Sequence, residues 1–77
     1  MSMEEILDIL NGLGLDVDFE HCTTLIDDGI LESLDIVTVI AELSDAFDIT
    51  IPARDIVPEN FNSAEAMLNM VNRLLDE

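Results

Sequence analysis

A serine flanked by acidic residues is the position whose surroundings most clearly suggest chemistry. Ser33 lies between Glu32 and Leu34 in the stretch DDGILESLDIVTVIAEL, where an acidic loop gives way to an apolar, periodic segment. A catalytic serine needs a base and an oxyanion hole, but the sequence has no G-x-S-x-G motif and a single histidine. No catalytic residue is therefore assigned. Two interpretations of Ser33 stay open: a helix cap, or the attachment point of another group.

Four acids that precede this serine have part of the spacing of an EF-hand calcium loop. Asp16, Asp18, Glu20 and Asp27 match loop positions one, three, five and twelve. The pattern fails at three positions, because His21 stands where the sharp turn needs glycine, Thr23 replaces the usual apolar eighth residue, and the closing residue is Asp instead of a bidentate Glu. The sequence therefore predicts a solvated acidic loop and no dedicated metal site.

The neighbouring His21 and Cys22 are the other reactive side chains of this loop. Adjacent loop residues rarely point their side chains at each other, and the surrounding acids disfavour a thiolate. The pair is therefore predicted to be a surface histidine beside a partly buried, inert thiol. Cys22 is the only cysteine, which rules out an internal disulfide and favours a reducing cytoplasmic setting.

The charge balance limits the partners that the chain can bind. Eighteen Asp and Glu face two arginines, so the net charge is −16 and contact with nucleic acid or anionic lipid is disfavoured. Because 49% of the residues are hydrophobic, the chain is nevertheless expected to fold, as a single monomeric domain spanning residues 1–77. No apolar run is long enough for membrane insertion. Crowding is expected to raise the pKa values of the acids between Asp16 and Asp28 and around Glu32 and Asp35.

Two segments near the ends of the chain have the pattern of long amphipathic helices. The first follows the capping-box sequence Ser2 to Glu5 and is expected to stop at Gly12 and Gly14. The last follows a similar pattern, a cap with a reciprocal acid, at Asn62 to Glu65.

The most regular helix is predicted between these two, from about Leu34 to Phe47. One face carries the acids Asp35, Glu42 and Asp45. The other is expected to form a buried stripe that comprises Leu34, Val37, Ile40, Leu43 and Phe47.

Two connections complete the prediction. The long loop Leu15 to Leu31 should pack down on the helices through its apolar side chains, which are Leu15, Phe19, Leu25, Ile26, Ile30 and Leu31. The stretch ITIPARDIVPENF holds two prolines and room for one short helix, near Ala53 to Ile56 or Glu59 to Phe61. The predicted fold is all-α: a small bundle of three long helices and one short helix, with a long loop between the first two.

The stretch DDGILESLDIVTVIAELSDAFDITIP resembles the centre of acyl carrier proteins and of the related peptidyl and D-alanyl carriers. In that family an acidic residue, the modified serine and a Leu or Met open the second helix. The positions that agree with the family pattern are Asp28, Gly29, Leu31, Ser33, Leu34, Phe47, Ile51 and Pro52. The resemblance extends over nearly the whole chain, including the long loop and the PENFNSAEAM segment.

This resemblance implies that Ser33 carries a covalent 4′-phosphopantetheine, which a phosphopantetheinyl transferase takes from coenzyme A. The terminal thiol would hold acyl or aminoacyl thioesters, which a loading ligase supplies and downstream biosynthetic enzymes use, while the carrier itself catalyses nothing. A helix N-terminus suits the attached phosphate. The residues expected to contact these partner enzymes are Glu32, Leu34, Asp35, Glu42 and Asp45.

Several positions depart from the fatty-acid type of carrier. Glu32 replaces the usual Asp before the serine, and Thr38 and Ser44 stand where fatty-acid carriers usually have glutamates. Glu42 resembles the D-alanyl and peptidyl types and favours a specialised carrier. The cargo and its pathway stay open among fatty acid, polyketide, nonribosomal peptide and D-alanine. A second class also stays open: an unmodified acidic helical adaptor that binds a basic partner.

Overall fold

The computed structural model describes residues 3–76, and within that range the regular structure is helical, without a β-strand. Its elements are α1 (Met3–Asn11), α2 (Ser33–Phe47), the 3-10 helix η1 (Ala53–Asp55), α3 (Pro58–Phe61) and α4 (Ala64–Leu75). The predicted all-α bundle of three long helices and one short helix is confirmed. Both places suggested for the short helix are helical, the first as η1 and the second as α3. None of the helices described is long and apolar enough to cross a membrane.

The three long helices bury apolar side chains in one core. Ile6 and Leu10, one helical turn apart, are the buried residues of α1. The other helical residues of the core are Val39, Leu43 and Phe47 of α2, Phe61 of α3, and Ala64, Met67, Met70, Val71 and Leu74 of α4. Removal of this apolar surface from water is the main stabilising contribution in so short a chain.

The orientation of α2 differs from the predicted one. Val39, Leu43 and Phe47 form the buried stripe at steps of four, whereas Leu34 and Val37 are 81% and 62% exposed. The prediction of a buried Leu34 and Val37 was wrong because the first half of α2 is apolar on most of its circumference. Periodicity could not choose among these faces, and contacts with α1 and the loop decided the outcome.

The loop between α1 and α2 is packed against the helices, as predicted. Phe19, Leu25 and Leu31 are buried in the same core, and the other predicted apolar anchors are partly buried against it. The Leu31 N–H donates to the Leu25 carbonyl at 2.9 Å, which closes the last part of the loop on itself. The chain therefore enters α2 from a fixed direction.

Asn62, between α3 and α4, binds this loop through four hydrogen bonds, one of which its Nδ2 donates to Asp27 Oδ2 at 3.3 Å. Its side-chain Oδ1 accepts the N–H groups of Ile26 and Asp27 at 2.9 and 3.1 Å. Its backbone carbonyl accepts the N–H of Leu25 at 3.0 Å. These bonds satisfy loop amides that no helix or strand could pair, and they fix the loop to the start of α4.

Ser63 is the N-cap of α4, since its Oγ accepts the Ala66 N–H at 3.0 Å. The predicted pattern over Asn62 to Glu65 is therefore displaced by one residue. Because Ala66 and not an acid occupies the third helical position, no reciprocal bond forms there. Asn62 is used to bind the loop instead.

The end of α1 agrees with the prediction, whereas its start cannot be compared. The helix ends at Asn11, and Gly14 follows with φ of 77°, a left-handed conformation that glycine adopts without steric cost. The Gly12 N–H donates to the Asp8 carbonyl at 3.0 Å. The predicted cap at Ser2 lies outside the described residues.

Asp55 is the one buried acid of the described chain, and sequence reasoning did not single it out. It is 6% exposed, and its Oδ1 lies 2.9 Å from Nη1 of Arg73 in α4. The Nε of Arg54 lies 3.9 Å from Oδ2, which accepts no hydrogen bond from the described residues. Both arginines of the chain, its only Lys or Arg residues, are thus near this one carboxylate. The Asp55 carbonyl also accepts the side-chain N–H of Asn60 at 2.8 Å.

We expect Arg73→Gln to lower the free energy of unfolding by about 2 kcal/mol, less than for a fully buried pair because Arg73 is half-exposed. The loss arises because Asp55 stays buried after its main cation is removed. The measurement is urea denaturation at pH 7. Arg54→Gln is the matched control, with the same change in net charge and an expected loss below about 1 kcal/mol. Equal losses would show that only overall charge is being measured.

Candidate functional site

Ser33 is the first residue of α2, and the residue before it is the cap. Glu32 has the extended conformation of an N-cap, with φ of −91° and ψ of 172°. Glu32 and Asp35 form a capping box, in which the Glu32 N–H donates to Oδ2 of Asp35 at 3.2 Å. The interpretation of Ser33 as the helix cap is therefore wrong. Glu32 is the N-cap of α2 instead, and Asp35, three residues later, completes its capping box.

The side chain of Ser33 is exposed, and no described residue forms a hydrogen bond with it. The buried side chain of Leu31 fixes the backbone two residues earlier, and the Ile36 N–H donates to the Glu32 carbonyl at 2.9 Å to begin the helix. The hydroxyl is thus held on a rigid element and is accessible from solvent. This arrangement suits a residue that another protein must reach.

The first turn of α2 favours a negatively charged group on Ser33. The early N–H groups of a helix lack partners within it, and the helix dipole adds a partial positive charge at this end. Glu32 and Asp35 oppose that effect, but Glu32 is exposed and Asp35 is half-buried, so water screens much of their charge. An attached phosphodiester is compatible with this environment.

The predicted partner-binding residues fall into two groups along α2. Glu32, Leu34 and Asp35 lie within one turn of Ser33. Glu42 and Asp45 are exposed but lie farther along the helix, about 13 and 18 Å from Ser33 at 1.5 Å per residue. The structure therefore brings three of the five next to Ser33. Asp35 is also a structural residue, since it accepts the Glu32 N–H.

Two apolar features were not predicted. Val37, assigned to the core from its spacing, is exposed on α2, and Ile56 after η1 is 42% exposed. A second feature is a cavity of about 100 Å³. Its lining residues are Ile26, Ile36, Ile56, Val57, Pro58 and Phe61. The excess of apolar residues in the first half of α2 was the one sequence signal for an exposed apolar surface.

The loop residues His21 and Asp18 pair with each other at the surface. His21 Nδ1 lies 2.8 Å from Asp18 Oδ2, and both side chains are exposed. The hydrogen bond from His21 lowers the pKa of Asp18 below its ordinary value, and the same bond raises the pKa of His21. For Asp18 the expected rise in pKa from acidic crowding is therefore wrong, because the hydrogen bond with His21 outweighs the opposing effect of desolvation.

The same loop holds Cys22 and a group of three possible metal ligands. Cys22 is partly buried, as predicted, and its Sγ lies 3.9 Å from the Thr24 hydroxyl. Asp18, Glu20 and His21 place donor atoms within 4.8 Å of one another, and all three residues are exposed. The other two acids of the EF-hand spacing are not part of this group.

A family model described as "Phosphopantetheine attachment site" matches residues 3–71. This match covers most of the chain, which therefore belongs to that family of carrier domains. Its members hold 4′-phosphopantetheine covalently, and they carry bound groups without catalysing reactions. The chain is accordingly a phosphopantetheine-dependent carrier that works with transferases and loading enzymes.

Known proteins similar to the chain are small carriers. A D-alanyl carrier protein of Lactococcus lactis is 32% identical over 76 residues, covering 96% of each chain. A D-alanyl carrier protein of Streptococcus suis is 34% identical over 73 residues, 94% of this chain and 92% of the other. An aminoacyl carrier protein of Bradyrhizobium diazoefficiens is 40% identical over 63 residues, 82% of this chain and 69% of the other. No solved structure gives a significant match.

The Asp18–His21 pair predicts a defined dependence of stability on pH. Because the pKa of His21 is raised in the folded chain, His21 contributes to the stability of the fold below its ordinary pKa of 6.5. This contribution is lost as pH rises through the folded-state pKa. Because the pKa of Asp18 is lowered in the folded chain, Asp18 contributes to the stability of the fold above its ordinary pKa of 3.8. This contribution is lost as pH falls through the folded-state pKa. Asp18→Asn should therefore lower the melting temperature more at pH 5 than at pH 8.

An NMR titration of His21 checks the cause directly. Its pKa should lie above 6.5 in the native chain and fall in Asp18→Asn. Asp16→Asn removes the same charge from the same loop and should leave most of the shift in place. If both variants lowered the His21 pKa equally, general acidity of the loop and not the hydrogen bond would be the cause.

Proposed function

We propose that Ser33 is the residue that carries 4′-phosphopantetheine. The observation that supports this most directly is the exposed hydroxyl of Ser33 at the first position of α2, where no described residue forms a hydrogen bond with it. Glu32 and Asp35 form the capping interactions that a serine at the N-cap of a helix often provides. A transferase could therefore use the Ser33 Oγ to form the phosphodiester without breaking a native interaction.

The chemistry that the attached group supplies is a terminal thiol, on which cargo is held as a thioester. Ser33 would hold the group covalently through its Oγ. The first backbone amides of α2, at the positive end of the helix dipole, would favour its phosphate. Cys22 lies in the loop and takes no part. The chain thus contributes a fixed, exposed attachment point.

We propose that the cargo is a small aminoacyl group, with D-alanyl as the first candidate. The relatives support this, since their names specify D-alanyl or aminoacyl carriers. The cavity beside α2 also supports it, because about 100 Å³ is well below the roughly 300–1,000 Å³ of typical ligand pockets. A longer acyl chain is the second candidate. The cavity offers it little room.

The proposed partners are a phosphopantetheinyl transferase and an aminoacyl-loading ligase. Glu32, Leu34 and Asp35 lie close enough to Ser33 to contact an enzyme acting there, while Glu42 and Asp45 would extend an acidic surface along α2. Attraction between such a surface and basic partners mainly increases association rate and selects orientation. This suits a monomeric cytoplasmic carrier that must visit several enzymes in turn.

Intact mass spectrometry after incubation with coenzyme A and a broad-specificity transferase tests the attachment site. The chain should gain one phosphopantetheine, and Ser33→Ala should gain none while keeping its helical circular dichroism and its stability within about 0.5 kcal/mol. Ser44→Ala is the matched control and should be modified like the native chain. Modification of Ser33→Ala would place the site elsewhere, and a native chain that is never modified would favour the acidic adaptor.

A loading competition tests the cargo. We expect the modified carrier to accept D-alanine from a D-alanine-activating ligase at least about ten-fold faster than a medium-chain acyl group from an acyl-loading synthetase, a difference of about 1.4 kcal/mol in transition-state free energy. Intact mass and release by hydroxylamine identify the thioester. Faster loading of the acyl group would reverse the assignment in favour of an acyl carrier.

A further inference from the structure

A groove between α1 and α2 lies apart from the apolar cavity described above. It has a volume of about 280 Å³. Its lining residues are Asp8, Ile9, Gly12 and Leu13 on the α1 side and Thr38 and Glu42 on α2. Glycine at position 12 leaves one wall without a side chain. The groove is smaller than most cofactor or drug sites, and its size suits a single long side chain.

The charges of this groove have no internal counterpart. Asp8 on α1 and Glu42 on α2 are exposed, and neither forms an ion pair or hydrogen bond through its side chain with a described residue. The only two arginines of the chain lie near Asp55. An external cation is therefore the group that can neutralise these two carboxylates.

The remainder of the lining is apolar or already satisfied. Ile9 and Leu13 are partly buried and pack against the core. The Thr38 hydroxyl donates to the Leu34 carbonyl at 2.9 Å, so it is not available to donate to an anionic ligand. Arginine and lysine bury an aliphatic stem on apolar surface while the charged end stays in a polar environment. The groove offers apolar surface for the stem at Ile9 and Leu13 and carboxylates for the charged end at Asp8 and Glu42.

We infer that this groove binds an arginine or lysine side chain of a partner protein, with its stem on Ile9 and Leu13 and its cation near Asp8 and Glu42. The inference rests on the proposed carrier function for the nature of that protein, an enzyme acting at Ser33. Thr38 and Glu42 lie about 8 and 13 Å along α2 from Ser33, which is within the footprint of a single enzyme. Asp8 makes α1 part of the docking surface, which sequence reasoning confined to α2.

NMR titration of the full-length unmodified chain with n-butylguanidinium tests the groove itself. Amide shifts should be largest at Ile9, Gly12 and Thr38 and should saturate. Guanidinium, which lacks the stem, and n-butanol, which lacks the charge, should each bind more weakly. Shifts that are spread over the acidic loop, or that never saturate, would overturn the inference.

Paired substitutions separate this site from general negative charge. Asp8→Asn with Glu42→Gln should weaken n-butylguanidinium binding about five-fold, as expected for the loss of two exposed ion pairs. Glu4→Gln with Asp48→Asn removes the same charge from an exposed position of α1 and from the exposed C-cap of α2, both outside the groove, and should weaken binding less than about two-fold. Equal weakening by both pairs would contradict a defined site.

The same two double variants, assayed for modification by the transferase, connect the groove to the carrier function. The groove pair should raise the transferase KM about five-fold with little change in kcat, whereas the control pair should change KM less than two-fold. Equal KM values in both pairs would overturn the role of the groove in enzyme docking. If Ser33 is never modified, the proposed function fails, while saturable n-butylguanidinium binding still identifies the groove.

Discussion

The ion pair between Arg73 and Asp55 connects α4 to a series of contacts that ends at Ser33, the candidate attachment site. Asp55 in η1 accepts the arginine at 2.9 Å, and its carbonyl binds Asn60 of α3. Two residues later, Asn62 accepts three loop amides. That loop leads through the buried Leu31 to Ser33. The position of the exposed Ser33 hydroxyl is thus linked to an ion pair in another part of the fold, in which Asp55 is buried and Arg73 is half-exposed.

Because both arginines lie near one buried acid, Asp55, the surface of the chain is strongly negative. The chain has eighteen Asp and Glu residues but only two Lys or Arg residues, and both of these, Arg54 and Arg73, lie near Asp55. Most surface carboxylates therefore have no strong cation within the chain, and His21, paired with Asp18, serves only one of them. Such a surface stays attractive to basic proteins over distances set by the salt concentration. A carrier that must be found by several enzymes gains encounter rate from this property.

Sequence patterns predicted the elements well and the packing of one of them poorly. The helix from about Leu34 to Phe47 was observed as Ser33–Phe47, and the role of the long loop as a packed segment was confirmed. The buried face of α2 was misassigned because too many of its first residues are apolar, so tertiary contacts had to choose. Asp55 gave no sequence signal, since burial of an acid depends on an arginine 18 residues away. Family resemblance, and not periodicity, pointed to Ser33.

The capping box at Glu32 and Asp35 has a consequence for the energetics of a carrier. A serine that capped its own helix would lose a stabilising hydrogen bond each time its oxygen was esterified, so attachment and folding would oppose each other. With the cap provided by its neighbours, a group at the proposed attachment site Ser33 would be added without the loss of a native hydrogen bond. Attachment would then be linked to folding only through the favourable interaction of the phosphate with the N-terminus of α2, and so would stabilise the fold slightly instead of opposing it.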